Sequence, residues 1–111
     1  MKLALATLAA ALTLSSPATF AGDAGSTAIE ALGKVNGIAL ACQQPAVASR
    51  ARNALVTTAP KTRANGEIFE NATNAAYLEQ GKGVACPDAA TLANLVGAAE
   101  KGLQSAFSGA R

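Results

Sequence analysis

The sequence predicts an all-α protein, a small four-helix bundle stapled by one disulfide. Three observations carry that expectation. Apolar residues recur at three- and four-residue spacing in four separate stretches, as a helical turn of 3.6 residues requires. Prolines and glycines punctuate the chain between those stretches, with no strand-like alternation of useful length and no internal repeat. The only two cysteines, Cys42 and Cys86, fall at joints between periodic segments.

The chain opens on Met1-Lys2, an apolar run from Leu3 to Leu14, and then Ser15-Ser16-Pro17-Ala18-Thr19-Phe20-Ala21. A basic start, a short apolar stretch and small residues before a cleavage point read as a secretory signal peptide over residues 1–21, cut after Ala21. The run of about 12 residues is short of the roughly 20 that a bilayer core needs. No stable membrane anchor is therefore expected after cleavage. What remains, residues 22–111, is a single helical domain of about 90 residues, near the small end of what folds alone.

The first helix is expected over 27–43. Thr27 and Glu30 fit a capping box after a flexible Gly22–Gly25 start, and Ile29, Leu32, Val35 or Asn36, Ala39 and Cys42 recur at helical spacing. Gly33 and Gly37 lie one turn apart on it, a spacing that in water marks close helix packing. Pro45 ends this helix and suits the first turn of the second, over 45–58. Val47, Ala51, Ala54 or Leu55, and Thr58 form its apolar stripe, and the residue before Pro60 is pushed out of the helical region.

The third helix is expected over 66–80, because Asn65-Gly66 is a turn signal. Ile68, Phe69, Ala72 and Ala75 or Ala76 share one side of it, and Gln80-Gly81 supplies a glycine stop. The fourth is expected over 87–107, with Pro87 in its first turn and Asp88 at its positive end. Leu92, Leu95, Val96, Ala99, Leu103, Ala106 and Phe107 make the cleanest stripe in the chain.

Composition says why a staple is needed. Half the chain is hydrophobic, 50%, but much of that is alanine, and small side chains bury little area each. Past the leader the aromatics are only Phe69, Tyr77 and Phe107. An exported chain with two cysteines reads as one disulfide, Cys42 to Cys86. Closing a loop of about 45 residues contributes on the order of 4 kcal/mol by the chain-entropy estimate. The functional alternative, a redox pair or a metal site, lacks a CxxC spacing and a histidine.

Histidine is absent altogether, which removes the commonest general base and metal ligand and excludes Ser-His and Cys-His nucleophiles. Met1 is the one methionine and lies in the leader, so soft metal or haem ligation is not expected. Glu67 and Glu70 share a helix face, but two solvated charges account for them. Gly81-Lys82-Gly83 is too short for a phosphate loop. Neither an enzyme nor a cofactor-binding protein is expected.

Nine basic residues against seven acidic ones, with Lys2 in the leader, argue for no particular charged partner. Arg50, Arg52, Lys61 and Arg63 group around the second helix, without the interleaved aromatics or glycine loop of a nucleic-acid site. The density of amide and hydroxyl groups at Asn71, Thr73, Asn74 and Tyr77 is unusual for a helix interior. Those four form an exposed polar face with Tyr77 at the rim of the core, or hydrogen-bond to neighbouring helices, or, with Arg50 and Arg52, line a contact surface for another protein.

An export signal, a mature chain of about 90 residues, helices throughout, and two widely spaced cysteines with a long helix after Cys86 resemble the small periplasmic acid-stress chaperones of the HdeA type and their YmgD-like relatives. The resemblance covers the mature chain at the level of architecture, and only Cys42 and Cys86 match residue by residue. It implies a periplasmic or secreted protein that binds other proteins without a cofactor, as an acid- or envelope-stress chaperone. Seven acidic residues are few for a protonation trigger. The other expectation is an inhibitor or accessory subunit with one dedicated partner.

Overall fold

The computed structural model describes residues 16–108, with side chains from residue 24 onward. The expected leader's apolar run lies outside them. Four helices follow one another: α1 (Ser16–Ala41), α2 (Pro45–Thr58), α3 (Arg63–Gln80) and α4 (Ala89–Ser108). No strand occurs among the described residues. Cys42 and Cys86 are disulfide-bonded, with their Cα atoms 5.8 Å apart, and tie the end of α1 to the approach of α4.

Three helix starts differ from expectation, and α1 ends at Ala41 and α4 at Ser108 where 43 and 107 were expected. Helix α1 runs through Thr27 and through the expected cut after Ala21, so Thr27 caps nothing. Its Gly25 is buried, and a side-chain carbon there would lie 2.9 Å from the ring of Phe107. That glycine admits an aromatic cover; it is not a flexible start. Helix α3 begins three residues early because Thr62, extended at φ −124° and ψ 156°, accepts from the Asn65 N–H. The Asn65 side chain in turn donates to the Pro60 carbonyl at 2.9 Å. Its amide is thus spent on capping, and Gly66 continues the helix. Helix α4 begins two residues late, because Asp88 stands before it and accepts from the Thr91 N–H at 2.8 Å. At the end of α3, Gly81 stays right-handed (φ −70°), and the glycine that turns left-handed is Gly83 (φ 94°).

The α1–α2 joint is made without glycine. Gln43 takes φ 59°, its N–H donates to Leu40, and the Gln44 N–H reaches back to the Ala39 carbonyl at 2.8 Å. This is the paired hydrogen bonding of a Schellman motif, with glutamine where glycine is usual. The chain then reverses into Pro45, which needs no N–H at the first turn of α2.

The packing is centred on α1. It touches the other three helices, α2 and α4 touch one another, and α3 has no comparable contact with α2 or α4 among the described residues. The apolar core is built from Ile29, Leu32, Val35 and Ala39 of α1, Val47, Ala48, Ala51 and Ala54 of α2, and Leu92, Val96 and Leu103 of α4. Helix α3 adds one large buried side chain, Phe69. The stripes expected on α2 and α4 supply their buried residues, with Thr58, Ala99, Ala106 and Phe107 half-buried and Leu95 39% exposed. Arg50 of α2 also grips Glu100 of α4 through two hydrogen bonds of 2.9 Å. The Glu100 carboxylate holds the Arg50 guanidinium above its ordinary pKa.

Candidate functional site

The contact between α1 and α3 creates the site, and glycine creates the contact. A side-chain carbon at Gly33 would lie 2.6 Å from the Phe69 carbonyl and 2.9 Å from Ala72 Cβ. One at Gly37 would run into the Thr73 carbonyl and lie 2.8 Å from Ala76 Cβ. Real Cβ atoms do not come so close, so the two backbones approach only because those carbons are missing. Gly33 meets 69 and 72 while Gly37 meets 73, 76 and 77, so the two helices run parallel.

A small polar network lies within this contact. Buried Asn36 donates from Nδ2 to Thr73 Oγ1 at 3.1 Å, and Thr73 Oγ1 donates to the Gly33 carbonyl, also at 3.1 Å. Asn36 Oδ1 is buried and has no hydrogen-bond partner among the described residues. An unmet acceptor of this kind costs about 1–3 kcal/mol. The network fixes the rotation of α3 on α1 more than it adds stability.

Beside the glycine seam, the outward faces of α1 and α3 enclose an open groove of about 630 Å³. Ala31 and Ile38 on α1 and Ala72, Ala75 and Ala76 on α3 make it largely apolar. Thr27, Glu30 and Lys34 edge it on α1, and Glu79 and Gln80 on α3. Its volume falls within the roughly 300–1,000 Å³ of binding clefts. From Thr27 to Ile38 it spans about three helical turns. An open, alanine-floored trough of that length suits the apolar side of a single helix. No group of three metal-ligating side chains converges among the described residues, and Glu67 and Glu70 are both exposed on α3.

The six residues singled out from the sequence are not brought together. Thr73 turns inward and takes one of its expected roles, bonding a neighbouring helix. Asn71 and Asn74 are exposed on α3, and Tyr77 is 48% exposed near the bridged end. Arg50 is engaged by Glu100, while Arg52 is exposed on α2, with which α3 has no contact comparable to its contact with α1 among the described residues. The groove residues Glu30, Ala31, Lys34 and Ile38 were not among them. Each wall left a signal, the small pairs Gly33/Gly37 and Ala72/Ala76 four apart, but nothing in the sequence says that the two faces meet.

The other polar feature at this end is Gln80. Its Nε2 donates to the Val84 carbonyl at 2.9 Å and to the Ala85 carbonyl at 3.1 Å, which folds the α3–α4 loop back toward Cys86. Tyr77, Leu78 and Val84 are exposed around it at 48%, 64% and 50%. Among the described residues no helix is long and apolar enough to cross a membrane. No protein-family model matches this chain, and no curated protein and no solved structure is measurably similar to it.

Proposed function

We propose that this is a small exported protein, periplasmic in a Gram-negative bacterium, that binds another protein through the α1–α3 groove without a cofactor and without catalysis. The observation that carries the reading is the groove itself, apolar, about three turns long and bordered by a single helix on each side. Export is supported by the leader-like N-terminus and by the Cys42–Cys86 disulfide, which is compatible with an oxidising compartment. An acid- or envelope-stress chaperone of the HdeA type is one specific form. Exposed Tyr77, Leu78 and Val84 would supply apolar client surface for it. The groove favours the other form, an inhibitor or accessory subunit with one dedicated partner, because a trough of defined width and charge selects a particular helix.

Capture from periplasmic extract separates the two. The oxidised mature protein is immobilised beside an Ala31→Trp/Ala75→Trp variant, whose bulky rings fill the groove from two exposed positions. A dedicated partner gives one stoichiometric band that the variant loses. A chaperone gives no single band, but protects an aggregation-prone enzyme across an acid-to-neutral pH series, and keeps that protection in the variant if Tyr77, Leu78 and Val84 are its client surface. Capture and protection that are both unchanged by the variant remove the groove from the account.

A further inference from the structure

We propose that the Cys42–Cys86 bridge is a directional thiol-exchange site. A small thiolate attacks Cys42 Sγ, and Cys86 leaves as a thiolate received by the side-chain amide of Gln80. Nothing in this chemistry depends on what binds in the groove. Access comes first. Both cysteines are half-buried and both lie in surface turns. Cys42 stands at the α1–α2 joint, where Leu40 and Gln43 are exposed, and Cys86 follows the loop Gly81–Ala85, which is exposed throughout. A dissolved thiol therefore reaches the bridge without the core opening.

Direction comes from the surroundings of the two sulfurs. In exchange, the sulfur that departs more readily is the one whose thiolate is better stabilised, and attack falls on the other. Gln80 Nε2 lies 3.8 Å from Cys86 Sγ, within hydrogen-bonding reach of sulfur. The same nitrogen carries two hydrogens and donates to the Val84 and Ala85 carbonyls at 2.9 and 3.1 Å. The sulfur is thus the weakest of its three acceptors while the bridge is closed. A thiolate accepts more strongly than a neutral sulfur, so opening the bridge at Cys42 turns this contact into a charge-assisted hydrogen bond. The carbonyls it gives up lie in the exposed loop, where water replaces the amide.

Cys42 Sγ has no such donor among the described residues. It also follows the carbonyl end of α1, where negative charge is disfavoured. Asp88, two residues past Cys86, is the opposing charge on the other side, and its carboxylate is turned to the Thr91 N–H. Neither a CxxC spacing nor a histidine is required, because the donor comes from the last residue of α3.

The step balances without a cofactor. The electron pair of the incoming sulfur forms a bond to Cys42 Sγ, the Cys42–Cys86 bond breaks, and its pair departs on Cys86 Sγ. One disulfide is consumed and one is made. The Cys86 thiolate can attack Cys42 Sγ again, expelling the thiol and restoring the bridge. Alternatively a second thiolate attacks the sulfur of the first and releases Cys42 as a thiolate. Two electrons then pass from two small thiols, which leave as their own disulfide, to the bridge.

The test uses the purified, oxidised mature protein and mercaptoethanol, a small uncharged monothiol. Early time points are quenched in acid, and peptide mass spectrometry maps which cysteine carries the added thiol. The adduct should sit on Cys42 about ten times as often as on Cys86. Rates of bridge opening are then compared among the wild type, Gln80→Ala, Gln80→Glu and Gln80→Lys. Opening should slow about three- to tenfold in Gln80→Ala and further in Gln80→Glu, while Gln80→Lys, which keeps a donor, should at least match the wild type. Alanine and glutamate both release the loop carbonyls, so a bridge governed by access alone would open faster in these two variants. The sign of the change therefore decides. An adduct shared equally or lying mainly on Cys86 overturns the proposal. So does a rate in Gln80→Ala or Gln80→Glu equal to or above that of the wild type, or an opening rate that follows global unfolding.

Discussion

On one side of α1, Ile29, Leu32, Val35 and Ala39 join side chains from α2 and α4 in a core of branched and small residues. On the other, the backbone at Gly33 and Gly37 lies directly against α3. The first contact is interlocked side chains, whose cost of change scales with the volume removed. The second is backbone on backbone, where one added methyl has nowhere to go. A single helix thus uses two physical means of packing. The apolar core holds the α1/α2/α4 unit, and the glycine seam sets α3 beside it at the distance that makes a groove.

The widest break in this contrast is expected at Phe69, the one large residue α3 sends into the core. Phe69→Ala should cost about 3–5 kcal/mol, read as a lowered denaturation midpoint. The drop should come with early loss of amide protection in α3, ahead of α4. Reduction comes next. The bridge closes a loop that contains all of α2 and α3, so cleaving it releases one helix from each region. A loss of about 2–4 kcal/mol is expected in thermal melts with and without reductant. Coincident melts would show a core that needs no staple.

A smaller effect of opposite sign is expected at the α1–α2 joint. Gln43 holds a left-handed conformation at φ 59°, where glycine carries no Cβ penalty. Gln43→Gly should stabilise by about 0.5–1 kcal/mol after allowing for glycine's greater freedom when unfolded, as a rise in melting temperature. The smallest effect is acid sensitivity confined to the core side. The Thr91 N–H, and secondarily its hydroxyl, hold the Asp88 carboxyl below its ordinary pKa. A depressed folded pKa contributes stability that is full above the unfolded value and lost as pH falls through the folded one. Asp88→Asn keeps a cap that does not titrate, so its stability should fall less steeply at the acid end. The α1–α3 seam offers no titrating group among Gly33, Asn36, Gly37, Phe69, Ala72, Thr73 and Ala76.

Much of the fold was legible because its signals are local. Helical spacing marked the four helices, Pro45 and Pro60 marked the joints, and a leader-like N-terminus with only two cysteines in the chain pointed to the bridge. The Gly33/Gly37 spacing announced a close helix contact. The boundaries were less legible, because capping residues have two uses. Asn65 reads as a turn residue until its amide is seen bonding the Pro60 carbonyl, and Asp88 reads as a first-turn residue until it accepts from Thr91. The groove was not legible at all. Spacing shows that α1 and α3 each have a small-residue face, but not that the two faces meet in parallel. Nor does it show that Thr73 turns in while Asn71 and Asn74 turn out. Those facts depend on α3 choosing α1 over α2 and α4, which is a property of the whole assembly.

The measurement that tests the two-contact account most directly is the melting temperature of Gly37→Ala against that of Gly102→Ala. Both glycines are helical, and alanine raises helix propensity by about 1 kcal/mol at either one. At Gly102 nothing lies within 4 Å of the added carbon, so its melting temperature should rise by about 4–8 °C. At Gly37 the carbon meets the Thr73 carbonyl and Ala76. Overpacking of about 1–3 kcal/mol there should exceed the propensity gain, and the melting temperature should fall. Opposite signs are the predicted result. If both variants rise together, α3 is not seated on α1 by backbone contact, and the groove built on that contact goes with it.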